Sequence, residues 1–103
     1  IEAKCGTYVK DYVAQFPDAP TTRGTKHVKE LIKAQKQGIK SGIVFIIQRN
    51  DANFFVPRWD MDPDFSKHLQ EAHQNGVIVK AYICKVNIRN ISISKEIPVR
   101  FEL

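Results

Sequence analysis

An α/β domain, with a mixed sheet and helices packed on it, is predicted by the order of hydrophobic patterns along this chain of 103 residues. Segments 22–37 and 63–75 carry helical periodicity and alternate with two apolar runs rich in β-branched residues, 42–48 and 77–86. Strand, helix, strand, helix, strand is the order in which crossover helices join parallel strands, so part of the sheet is expected to be parallel. The length allows one core, and no repeat, linker or low-complexity tract divides it. Residues 1–103 are therefore read as a single domain.

Taken in order, Ile1–Cys5 reads as a strand and Gly6–Pro20 as a loop, with Tyr8–Val13 able to add a few extended residues. A helix is expected from Thr22 to Gln37, ended by Gly38 and capped by Asp18, Thr21 or Thr22. At 100° per residue Val28, Leu31, Ile32 and Gln35 form its buried stripe, while Lys29, Lys33, Lys36 and Lys40 occupy a solvent face. Arg23, His27, Glu30 and Ala34 line the flank between them, where a side chain is held by the core yet still reaches a groove. Gly42–Gln48 suits a central strand covered on both faces. Asn50–Asn53 is a polar turn before a short extended segment, Phe54–Val56. Asp62 caps a second helix with Pro63 at its first position, turning Phe65, Leu69 and Ala72 inward and stopping at Gly76. Val77–Val86 is a second long strand, and Ile91–Ser94 with Ile97–Leu103 suggests a closing hairpin or edge pair.

Hydrophobic residues at 43% and charged residues at 26% are ordinary for a globular domain. The net charge of +5 is localised: residues 21–40 hold Arg23, Lys26, Lys29, Lys33, Lys36 and Lys40 against Glu30 alone, and the remainder is neutral. Such a stripe suits a phosphate backbone, whose condensed counterions are released on neutralisation, or a solvated helix face. The longest apolar run is too short to span a bilayer, and no signal peptide is evident. Cys5 and Cys84 are expected to stay reduced, in a cytoplasmic protein that makes no membrane contact.

The polar residues of the first third are the most distinctive. Glu2, Lys4, Thr7, Phe16-Pro17-Asp18-Ala19, Thr22-Arg23-Gly24, Lys26-His27 and Glu30-Leu31 together resemble the pattern of the sugar fermentation stimulation protein family, and the likeness continues through Asp62-Pro63, Ala72 and Gly76-Val77. The resemblance implies a C-terminal domain with a restriction-endonuclease-like core of the PD-(D/E)xK type, incomplete at its N-terminus. The chain opens at Ile1 within an apparent strand, so it is expected to be part of a longer protein. In such nucleases a Glu-x-Lys pair on a strand shares one face, as i and i+2 do here at Glu2 and Lys4. Glu2 would then ligate Mg²⁺ or Mn²⁺, and Lys4 would position water and offset charge on phosphate. The first carboxylate of the motif would lie upstream of Ile1. Pro17-Asp18 imitates it in the wrong order, so Asp18 is expected to support the turn, together with Thr22. No organic cofactor is expected.

Arg23, His27 and Glu30 at i, i+4 and i+7 share a helical flank. Arg23 would grip a phosphate, His27 would supply a hydrogen bond or a proton, and Glu30 would orient one of them; the bland alternative pairs Glu30 with Lys26 or Lys33. Asp60, Asp62, Asp64 and Glu71 echo a calcium loop spoiled by Pro63 and Phe65. His68 and His73 are wrongly spaced for a shared metal, and Trp59 beside Arg58 either packs on the core or stacks on a base. The leading expectation is a DNA-binding domain contacting the backbone, with a regulatory role in sugar metabolism implied by the resemblance. The alternative is a metal-dependent DNA phosphodiesterase in the full-length protein. An open sheet edge beside Ile1 would allow homo-oligomers.

Overall fold

The computed structural model describes residues 2–4, 8–48, 51–86 and 91–102. Its strands are β1 (Glu2–Lys4), β2 (Tyr8–Lys10), β3 (Val13–Phe16), β4 (Gly42–Ile47), β5 (Phe54–Pro57), β6 (Ile78–Val86) and β7 (Ile91–Ile97). Its helices are α1 (Thr22–Lys36) and α2 (Pro63–Gln74). The expected mixed α/β architecture is present, but the strands divide between two sheets. One has the order β1-β4-β6-β7, parallel except for β7; the other has the order β2-β3-β5.

The second sheet corrects the expected loop at 6–20. Lys10 pairs with Val13, so the hairpin turns on Asp11 and Tyr12 alone, both at positive φ (52° and 65°). A two-residue turn of that form matches the twist of its strands but normally uses Asn-Gly, and its absence concealed the hairpin in the sequence. The closing segment also differs. β7 pairs antiparallel with β6, after which Val99 bridges Phe55 on the other sheet, so among the described residues 91–94 and 97–102 are not partners of each other.

α1 begins at Thr21, whose hydroxyl accepts from Gly24 N at 3.0 Å; Asp18 is exposed and is not the cap. Both helices close on a glycine at positive φ, Gly38 and Gly76, with the next amide returning to a carbonyl of the last turn. Gly24 is required for a different reason. A Cβ there would stand 2.8 Å from Thr21 Cγ2 and 3.2 Å from Phe65 Cε1, so the two helices could not approach as they do.

Ile43, Phe45 and Ile47 on β4 join Val28 and Ile32 of α1 and Phe65, Leu69 and Ala72 of α2 in one buried cluster. Phe45 stacks on Phe55 of β5 with centroids 4.3 Å apart, while Phe16 and Phe65 lie against it at 5.3 and 6.5 Å. These rings join the sheets, and burying Phe45, Phe55 and Phe65 in full stabilises the fold by about 1.5–3 kcal/mol each. The other face of β4 is less covered than expected, with Val44 and Ile46 half-buried, so β4 is central in order but sealed on one side only. Cys84 carries a buried thiol; Cys5 lies outside the described residues, as does Thr7. Among the described residues no helix is long and apolar enough to cross a membrane.

Candidate functional site

β1 lies at the edge of its sheet, with Glu2, Ala3 and Lys4 in register with Ile43, Val44 and Phe45 of β4. Paired residues of parallel strands point to the same face, so Lys4 projects to the side of Phe45, where the helices pack. There Lys4 Nζ lies 2.9 Å from His27 Nδ1 on α1. Which of the two donates follows the imidazole tautomer, since a ring nitrogen accepts only when it carries no proton. Both side chains are half-buried. The contact orients the lysine, one of the most flexible side chains, at the mouth of the site. Glu2 belongs to the same strand and, by register, the same face; its side chain lies outside what is described.

Besides its apolar packing, α1 is tied at its N-terminus to α2 by one carboxylate. Asp62, 7% exposed, accepts from Phe65 N at 3.0 Å as the cap of α2 and from Thr21 N at 2.8 Å, just ahead of α1. One side chain thereby ties the N-termini of both helices. The sequence suggested the first bond; the second joins residues 41 apart and had no local signal. The calcium-loop pattern dissolves accordingly, since Asp62 is buried in capping, Asp60 lies 3.6 Å from Arg58 Nε and Asp64 lies 3.4 Å from His68 Nδ1.

Of the other expected site residues, Arg23 and Glu30 are exposed on the flank of α1 that carries His27, and Thr22 is exposed at its first position. The structure thus brings His27 to Lys4, leaves Arg23 and Glu30 facing solvent, and keeps Asp18 at the surface of the preceding loop. Lys26, Lys29, Lys33 and Lys36 are all exposed. At 100° per residue they fall within an arc of about 80° over a rise of about 15 Å. The expected solvent face is there, directly beside the Arg23–His27 flank. Gln35 leaves the apolar stripe for a structural task, accepting from Ser41 N at 3.1 Å where the chain turns into β4.

A divalent ion needs several converging oxygen ligands. Among the described residues no three His, Cys, Asp or Glu side chains converge to hold a metal, and the described part of the site is cationic. The described residues alone therefore do not form a metal cage.

The family described as "Sugar fermentation stimulation protein RE domain" matches residues 1–90. A sugar fermentation stimulation protein homolog from Alkaliphilus metalliredigens is 49% identical over 100 residues, covering 96% of this chain and 43% of that protein. The homolog from Caldanaerobacter subterraneus subsp. tengcongensis is 46% identical over 99 residues, with the same two coverages. Among solved structures, SfsA from Pyrococcus furiosus in complex with Ca²⁺ superposes with a TM-score of 0.90 at 32% identity, over 97% of this chain and 44% of that one. The chain spans less than half the length of these relatives, and across nearly all of its own length it belongs to the sugar fermentation stimulation protein family.

Proposed function

We propose that this chain is a DNA-binding domain with a restriction-endonuclease-like core, gripping the nucleic-acid backbone along α1. The observation that carries this reading is the exposed, one-sided array of Lys26, Lys29, Lys33 and Lys36. It is continuous with Arg23 and leads to the Lys4–His27 contact at the end of the sheet. Guanidinium and ammonium groups spread over about 20 Å of helix match successive phosphates, and the affinity is electrostatic and independent of sequence. The family's name supplies the link to sugar fermentation. The edge position of β1 gives a second chain, or more of this protein, a strand to pair with.

A second reading, metal-dependent phosphodiester cleavage, is favoured by the Lys4–His27 geometry and by the Ca²⁺ bound to the Pyrococcus furiosus relative. Glu2 would contribute one oxygen ligand to Mg²⁺ or Mn²⁺, which would act as Lewis acid. Lys4, steadied by His27, would offset charge developing on the phosphate. Fluorescence anisotropy of labelled duplex and single-stranded DNA, across salt concentrations with Mg²⁺ or chelator, tests both. Binding that falls steeply with salt supports the backbone reading, and a further gain with Mg²⁺ supports the second. No binding at low salt defeats the first.

A further inference from the structure

The outer face of the β2-β3-β5 sheet bears an open groove of about 640 Å³, lined by Lys10, Val13, Gln15 and Val56 and closed at one end by Arg58–Asp60. We propose that this groove receives an unpaired base of single-stranded nucleic acid, stacked on Trp59. The inference rests on the nucleic-acid reading of α1.

The indole is fixed. Its Nε1–H donates to Phe101 O at 2.8 Å, and the adjacent Arg58 N donates to Phe16 O at 2.8 Å, pinning the segment to the end of β3. Trp59 is the chain's one tryptophan, and it is half-buried in the wall of the groove. A ring held rigidly loses no further freedom when a base stacks on it. Charge decides which part of a nucleotide the groove prefers. Lys10 and Arg58 are balanced by Asp11 and Asp60 in the same lining, with Arg58 Nε 3.6 Å from Asp60 Oδ1. Among the described residues the lining is neutral and offers no net attraction for phosphate, whereas the half-buried Val13 and the indole offer an apolar surface and Gln15 an amide for a base edge. The volume falls within the range of small-ligand sites. A base inside a duplex is already stacked on both faces, which makes the unpaired base the fitting occupant.

The test is a titration of the 103-residue chain with octathymidylate and with an equally long strand of abasic residues. Trp59 emission and the anisotropy of an end label are followed together. The thymine strand is expected to quench Trp59 and to bind about 5- to 150-fold more tightly than the abasic strand, the range for one stacked base. Trp59→Phe, which keeps an aromatic face, should retain the affinity difference, and Trp59→Leu should remove it, with circular dichroism checking the fold of both. Equal binding of the two strands without quenching overturns the groove while leaving α1 as the backbone site. Binding of neither strand overturns both readings.

Discussion

Reversing Lys33 and Lys36 to Glu attacks the proposed DNA interface where it is easiest to quantify. Both side chains are exposed on the last turns of α1, and Glu forms helix nearly as well as Lys, so the fold should survive. Two acids near a helix C-terminus cost about 0.3–1 kcal/mol each. If Arg23, Lys26, Lys29, Lys33 and Lys36 each neutralise a phosphate, the slope of log affinity against log salt is about −4.5 for duplex DNA. Raising salt from about 50 to 200 mM should then weaken binding about 500-fold. The double variant retains three contacts, so its slope should fall to about −2.7 and the same salt change should cost about 40-fold. Anisotropy on two duplexes of unrelated sequence measures both slopes, and the change should be the same for each. A slope that stays within about 0.5 of the parent would remove the lysine face from the account.

Other predictions concern how the site is held. Asp62→Ala should destabilise the chain by about 2.5–4 kcal/mol, combining a lost cap with a lost charge-assisted bond to Thr21 N. For a chain of this size that lowers the melting temperature by roughly 12–18 °C. Asp62→Ser should recover only the cap, about 1 kcal/mol, because serine is too short to serve both helices; full recovery would show that the bond to Thr21 contributes nothing. Gly24→Ala should destabilise by about 1–2 kcal/mol in urea unfolding although alanine is the better helix former, since its Cβ displaces the Thr21 cap and meets Phe65. A stabilised variant would refute that close approach. Under the cleavage reading, Lys4→Ala should abolish Mg²⁺-dependent nicking of plasmid and leave DNA affinity largely intact, and cleavage retained by the variant would eliminate the lysine's role.

Local signals carried much of the fold. The β-branched runs became β4 and β6, the 3.6-residue stripe of Val28, Leu31 and Ile32 became the inner side of α1, and Asp62-Pro63 opened α2. Each is determined within a few residues, by alternation, by periodicity or by a side chain reaching its own helix N-terminus. The lysine face was legible for the same reason, because angular position along a helix follows from spacing alone.

The division of strands into two sheets was not legible. The β2-β3 turn uses Asp11-Tyr12 where a glycine would have announced it, and its left-handed backbone is held by pairing to β5, a strand about forty residues away. Lys4 meeting His27 and Asp62 reaching Thr21 join residues 23 and 41 positions apart. Neither residue type nor spacing encodes such contacts, which exist only after Phe16, Phe45, Phe55 and Phe65 have packed the sheets and α2 together. By itself the sequence determined the helices, the two long strands, the basic face and the likeness to a family. Tertiary structure alone decided which lysine stands beside the histidine, because apolar burial sets the distances between elements and polar side chains take the partners those distances allow.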